Sequence, residues 1–195
     1  MTLLSLLTSI SALEWAANIT TVITIVYATY NRVWTWPWGI VASVLFGVLF
    51  YQSKLYAETL LQGFFIATSL WGWWQWRRRL NEPDLQISNV GLSARAMCWL
   101  SALLLGLAYA VLLLKTTDAA SPWWDSVVLA LSMLGQVWLM QRRINHWAVW
   151  LVVSAISVPL FVSRELYLSA VLYAFYFFNA GYGWWRWQRE MTSAV

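Results

Sequence analysis

Seven apolar runs, each near the roughly 20 residues that cross a bilayer, follow one another along this chain, and nearly every charge falls between them. The runs are Ala12 to Tyr30, Pro37 to Gln52, Ala57 to Trp76, Arg95 to Leu114, Trp124 to Gln141, Trp147 to Val162 and Leu168 to Trp187. In hydrocarbon every backbone amide and carbonyl needs an internal partner, so such runs are predicted to be helices. A soluble fold is excluded on composition. The 195 residues are 61% hydrophobic and 10% charged, where an average soluble domain is about a quarter charged. The net charge of +4 does not form a nucleic-acid-binding face. It follows topology instead. With the N-terminus outside, Arg32, Arg77, Arg78, Arg79, Arg95, Arg142, Arg143, Arg186 and Arg189 all fall inside, against Lys54, Lys115 and Arg164 outside. Met1 to Ser11 lacks a basic lead and a small-residue cleavage site, so no cleaved signal is expected there.

An internal repeat organises these spans. Adding 111 maps Trp36 on Trp147, Ser43 on Ser154, Phe50 on Phe161, Leu55 and Tyr56 on Leu166 and Tyr167, and Gly72, Trp73, Trp74 and Trp76 on Gly183, Trp184, Trp185 and Trp187. Glu14 and Arg32 map on Asp125 and Arg143 with the same offset and no gap. The repeat is three helices long, and three is odd, so one extra span is needed for the second copy to keep the orientation of the first. Span four has that role. The expected fold is an all-α membrane protein with seven transmembrane helices in a 3+1+3 arrangement of two parallel triple-helix bundles, with a substrate path at the interface of the repeats. The first bundle is residues 1–79, the polar linker Leu80 to Ser93 with span four is 80–123, and the second bundle is 124–195.

Spans two and six are the shortest, about 16 residues each, and hold corresponding places in the two halves, which points to a binding site. Span six repeats Trp147, Trp150, Ser154 and Ser157 on one helical face; span five offers Asp125, Ser132 and Gln136, and span one Glu14, Asn18 and Thr21. These faces are expected to look inward. The candidate substrate-binding residues are Gln62, Ser69, Gln136, Trp147, Trp150, Ser154, Tyr173 and Asn179. A serine in a membrane helix commonly bonds its own backbone, whereas an amide such as Gln62 or Gln136 needs several partners. Trp150 offers a flat face that could stack on a ring or attract a cation, worth roughly 0.5–2 kcal/mol. Trp73, Trp74, Trp76, Trp184, Trp185 and Trp187 read as the interfacial belt, and Pro159 as a site of loosening in span six.

The residues also narrow the function. One cysteine, Cys98, and one histidine leave no disulfide and no ordinary zinc site, so neither metal nor cofactor is expected. There is no phosphate-binding GxxxxGK[ST] loop, and no acidic, basic or histidine side chain lies in the middle of a span. An enzyme is disfavoured by the same absences, and a retinal-type receptor by the lack of a lysine in span seven. A uniporter is the simplest reading, with a membrane-embedded binding or receptor module as its rival.

The segment WPWGIVASVLFGVLFYQSKLYAETLLQGFFIATSLWGWWQW, with WWDSVVLALSMLGQVWLMQRR and HWAVWLVVSAISVPLFVSRELYLSAVLYAFYFFNAGYGWWRW, resembles the PnuC family of nicotinamide riboside transporters over almost the whole chain. The resemblance implies a SWEET-like 3+1+3 bundle in the plasma (inner) membrane and facilitated diffusion of a vitamin precursor. Uptake would be driven by a cytosolic kinase that traps the product, without a stable complex. It places the WxxW pair on Trp147 and Trp150, the span-three glutamine on Gln62, and the span-five positions on Asp125, Ser132 and Gln136. Two positions depart from the family pattern, with Ser154 and Ser69 where relatives often carry amides. Thiamine, riboflavin or a deoxynucleoside are the alternative cargoes, and a homo-oligomer is open.

Overall fold

The computed structural model describes residues 11–52, 56–78, 86–116, 122–163 and 167–193, without the side chains of 56–58. Lys54, Leu55, Arg79, Arg164 and Leu166 from the charge and repeat readings, together with residues 1–10 and 80–85, lie outside these, as does the side chain of Glu58. The described residues form helices α1 (Ala12–Thr29), α2 (Thr35–Gln52), α3 (Tyr56–Arg78), α4 (Leu92–Thr116), α5 (Pro122–Met140), α6 (His146–Ser163) and α7 (Tyr167–Ser193). The fold is all-helical. Four helices, α2, α4, α5 and α6, are long and apolar enough to cross a membrane. Amides, hydroxyls, tryptophans and the arginines toward their ends make α3 and α7 less apolar.

The helices start and stop close to the apolar runs, with one exception. α7 continues past Trp187 to Ser193, because arginine, glutamine and glutamate end an apolar run without ending a helix. α2 and α6 are 18 residues each, the same as α1, so shortness does not set them apart. α6 also runs unbroken through Pro159.

The chain divides into two compact units, Met1–Asp84 with α1–α3 and Leu85–Val195 with α4–α7. In the first, α2 packs against both α1 and α3. The second is ordered by neighbours, α4 on α5, α5 on α6 and α6 on α7. α4 meets α5 through small residues four apart, Ala102, Gly106 and Ala110, all buried. A Cβ on Gly106 would lie 3.1 Å from the Ser126 carbonyl oxygen, so the backbones touch as small-residue helix seams allow. The rest of α4, including Leu100, Leu104, Leu105 and Leu112, is exposed and apolar, the surface that lipid solvates without cost.

The repeat extends to the turns. Asn31 (φ 52°) ends α1 and Arg142 (φ 51°) ends α5, both in the left-handed region and 111 residues apart. In each turn the left-handed residue donates to the carbonyl three back, Asn31 to Ala28 at 2.9 Å and Arg142 to Leu139 at 2.9 Å. The next residue donates five back, Arg32 to Tyr27 at 3.0 Å and Arg143 to Trp138 at 2.8 Å. This is the Schellman closure, which satisfies carbonyls that the helix end leaves open. Burial pushes the Arg142 guanidinium below its ordinary range, and the Glu190 carboxylate opposes the shift. Asparagine tolerates the left-handed region and a β-branched residue does not. Asn31→Val is therefore expected to unfold at a lower temperature than Asn31→Gly, by a difference worth about 1–2 kcal/mol, read from thermal unfolding of the two variants. Equal midpoints would show that the turn is not held left-handed.

A second closure recurs in both units and corrects the belt reading of two tryptophans. Trp36 and Trp76 meet edge to face at 5.2 Å in the first unit, as Trp147 and Trp187 do at 5.8 Å in the second. All four rings are buried, Trp76 and Trp187 at 0% exposure. Each inner ring lies on a glycine. A Cβ on Gly72 would come within 2.6 Å of Trp36, and one on Gly183 within 2.5 Å of Trp147. Trp76 and Trp187 are thus core residues, four positions after the glycine and on its face of the helix. Trp74 and Trp185 remain exposed, with Arg78 over the first at 4.7 Å and Arg189 over the second at 4.2 Å, as belt residues would be.

Part of the expected polar linker is fastened. Ser88 donates its amide to the Arg142 carbonyl at 3.2 Å and accepts from the Ile144 amide at 3.0 Å, and its Oγ accepts from Arg143 Nη1 at 2.9 Å. The Val90 amide donates to Asn145 Oδ1 at 2.7 Å. Residues 86–91 therefore strap the α5–α6 turn within the second unit.

Candidate functional site

In the first unit, Gly39, Ser43 and Gly47 recur every four residues on α2 and make a shallow face against α3. A Cβ on Gly47 would lie 3.6 Å from Gln62 Cβ, and one on Gly39 3.5 Å from Ser69 Oγ. Gln62 and Ser69 are both buried. Two of the candidates therefore line the α2–α3 seam of this unit, admitted there by glycines.

The other six belong to the second unit, and the repeat relates them to the first. Tyr173 occupies the place of Gln62, Ser154 that of Ser43, Trp150 that of Gly39 and Asn179 that of Thr68. Where the first unit has small residues and an amide, the second has rings. Trp150 and Tyr173 pack against one core cluster, formed by Ala102, Leu131, Trp138, Val149 and Val153. Tyr173 also meets Phe161 at 5.0 Å and Tyr176 at 5.3 Å. Ser154 and Ser157 are buried on α6, Trp150 half-buried, so the span-six face does look inward.

Trp147 is placed differently from Trp150. Its ring is 2% exposed, set on Gly183, edge-on to Trp187 and 4.3 Å from the buried His146 ring. It locks α6 to α7. Of the WxxW pair, Trp150 alone keeps part of its surface open. Gln136 and Asn179 are half-buried on α5 and α7.

The polar faces of spans five and one are not the buried ones. α5 buries Ser126, Leu131, Gly135, Trp138 and Leu139, while Asp125, Ser132 and Gln136 are half-buried. Ser132 donates to its own backbone at Val128 (2.7 Å). On α1, Asn18 Nδ2 donates to the Glu14 carbonyl at 2.9 Å, Thr21 to Ala17 at 2.9 Å and Thr24 to Thr20 at 2.8 Å. These are local backbone bonds of the kind Ser, Thr and Asn make in membrane helices.

Sequence reasoning missed the glycine seats. Gly135 is one: a Cβ there would stand 3.2 Å from Trp150 Cε2 and 3.3 Å from its Nε1. The signal was present as a repeat mismatch, Thr24 facing Gly39 in one copy and Gly135 facing Trp150 in the other. Chemically, the candidates offer ring faces, amides and hydroxyls and no formal charge. Such a set suits a flat polar or cationic ring rather than an anion.

Comparison with known proteins agrees in class. A family described as nicotinamide mononucleotide transporter matches residues 11–189. The chain is 25% identical to the nicotinamide riboside transporter PnuC of Escherichia coli, over 94% of this chain and 89% of that one. It is also 25% identical to the riboflavin/roseoflavin transporter RibM of Streptomyces davaonensis, over 93% and 88%. Among solved structures it is similar in fold to the vitamin B3 transporter PnuC, with a TM-score of 0.76, 20% identity, and 94% and 83% of the two chains covered.

Proposed function

This chain belongs to the nicotinamide mononucleotide transporter family, and on that premise we propose that its cargo is nicotinamide riboside, carried across the inner membrane by facilitated diffusion. What supports the riboside over the phosphorylated mononucleotide is the neutrality of the candidate set. Gln62, Ser69, Gln136, Trp147, Trp150, Ser154, Tyr173 and Asn179 include no lysine, arginine or histidine to meet a phosphate. An unpaired dianion in a low-dielectric site is strongly disfavoured, while a pyridinium ring finds a partner in an indole face. Trp150 is the residue we assign to that ring, and Gln136 and Asn179 of the same unit carry the amides we assign to the carboxamide and ribose. Riboflavin is the second reading, because RibM matches at the same identity as the riboside transporter.

The test is thermal stabilisation of the purified protein by each compound in turn. A ligand at 100 times its dissociation constant adds about 2.7 kcal/mol, so nicotinamide riboside is expected to raise the midpoint and nicotinamide mononucleotide to leave it unchanged. A shift with riboflavin and none with the riboside would transfer the assignment to the flavin. A shift with the mononucleotide would refute the neutrality argument.

In this reading all seven helices cross the bilayer in the 3+1+3 arrangement, the N-terminus is external and the C-terminus cytoplasmic. The arginine distribution supports it. A reporter fused after Val195 is expected to be active only on the cytoplasmic side; activity confined to the outside would overturn the orientation or the helix count. A cytosolic kinase that adds phosphate would prevent return, since the product gains the charge the candidate set does not accept.

A further inference from the structure

We propose that Gly135 is a positioning residue that fixes the plane of the Trp150 ring, an inference that rests on the assignment of Trp150 to the cargo ring. The two repeats treat one pair of positions in opposite ways. In the first unit α1 carries Thr24 and α2 carries Gly39, and a Cβ on Gly39 would lie 3.4 Å from Thr24 Cγ2. In the second unit α5 carries Gly135 and α6 carries Trp150, and a Cβ on Gly135 would lie 3.2 Å from Trp150 Cε2, 3.3 Å from Nε1 and 3.3 Å from Val149 Cγ1. Position 24 pairs with 39 as 135 pairs with 150, so the contact is the same and the large and small partners have changed sides.

The exchange has a physical reason. A ring added on α6 needs a flat floor on α5, and only glycine leaves its α-carbon bare. With Gly135 beneath, the indole can lie against α5, where its half-buried ring also packs on the Leu131, Val149 and Val153 cluster. A methyl at Gly135 would meet the ring inside ordinary contact distance and tilt it away by a few tenths of an ångström. Gly135 itself touches no cargo; it acts through the ring. The pair sits between features that the two units do share, the left-handed turns at Asn31 and Arg142 and the tryptophan seats on Gly72 and Gly183.

The experiment compares Gly135→Ala, Trp150→Ala and the double variant of the full chain. Affinity for nicotinamide riboside and the ligand-free thermal midpoint are both measured. The expected result is an affinity loss of about tenfold for Gly135→Ala with an unchanged ligand-free midpoint. The double variant should bind as Trp150→Ala does, because without the ring the methyl has nothing to tilt. Wild-type affinity in Gly135→Ala overturns the proposal, and so do losses that multiply in the double variant. If Gly135→Ala does not fold, recovery of folding in the double variant supports the seat and continued failure overturns it. Wild-type affinity in Trp150→Ala would instead remove the cargo assignment of Trp150, and the proposal with it, whereas a strong loss there beside an unaffected Gly135→Ala removes the proposal alone.

Discussion

Gly183→Ala is expected to lower the thermal stability of the protein more than any other single-methyl change discussed above. The added carbon would sit 2.5, 2.6 and 2.8 Å from Cζ2, Cη2 and Cε2 of Trp147. That ring cannot swing aside, because Trp187 stands edge-on to it and both are buried. Overpacking of a filled core costs about 1–3 kcal/mol and occasionally more, and each kcal/mol moves the midpoint of a chain this size by about 2–4 °C. Gly72→Ala should behave alike, since a Cβ there would lie 2.6 Å from Trp36. Gly63→Ala is the control, with nothing within 4 Å of its Cβ. Adding Trp147→Phe to Gly183→Ala clears the places of Cζ2 and Cη2, the two nearest of the three, and should restore part of the loss. A Gly183→Ala midpoint equal to that of Gly63→Ala would mean that the ring does not rest on the glycine.

Uptake of nicotinamide riboside into proteoliposomes without a kinase is expected to plateau at the electrochemical equilibrium of the substrate. The pyridinium carries one positive charge, so an inside-negative potential of 100 mV favours entry by about 2.3 kcal/mol, roughly a 50-fold concentration ratio. Without a potential the ratio should be one. Reversing the gradient should reverse the flow equally well. The basis is the placement of charge: Glu14 and Asp125 lie in the first turns of α1 and α5, and His146 opens α6. No acidic, basic or histidine side chain of the sequence falls at the middle of an apolar run to carry a coupled proton. Accumulation beyond the plateau under an imposed proton or sodium gradient would sink the uniport reading and direct attention to Glu14, Glu58 and Asp125.

The helices were legible because, in a bilayer, the apolar run and the hydrogen-bonded run have to coincide. Where the chain leaves hydrocarbon the two signals part, which is why the end of α7 at Ser193 could not be read from the end of the apolar run at Trp187. The repeat was visible as identities, but its left-handed turns are not identities. Asn31 and Arg142 share a left-handed turn that arginine does nothing to announce. Trp76 and Trp187 were assigned to the belt by their nearness to helix ends, whereas their burial is set by which face they occupy, that of the glycine one turn before. Gln62 is found as an amide that needs partners inside the membrane, and Ser69 through the resemblance, as a position where relatives often carry an amide; both are buried. Gly135 was not found, since a helical glycine looks unremarkable until the ring that lies on it is known.

The strap formed by residues 86–91 orders events in time as well as space. Val90 and Asn145 are 55 residues apart in the chain, as are Ser88 and Arg143. At synthesis rates of about 5–20 residues per second, roughly 3–11 s separate the emergence of one partner from that of the other. Throughout that interval the lead-in to α4 exists without its fastenings. The arrival of the α5–α6 turn then supplies the Arg142 carbonyl, the Ile144 amide and the Asn145 side chain together, so the second unit can first close on its own beginning only once that turn has left the ribosome.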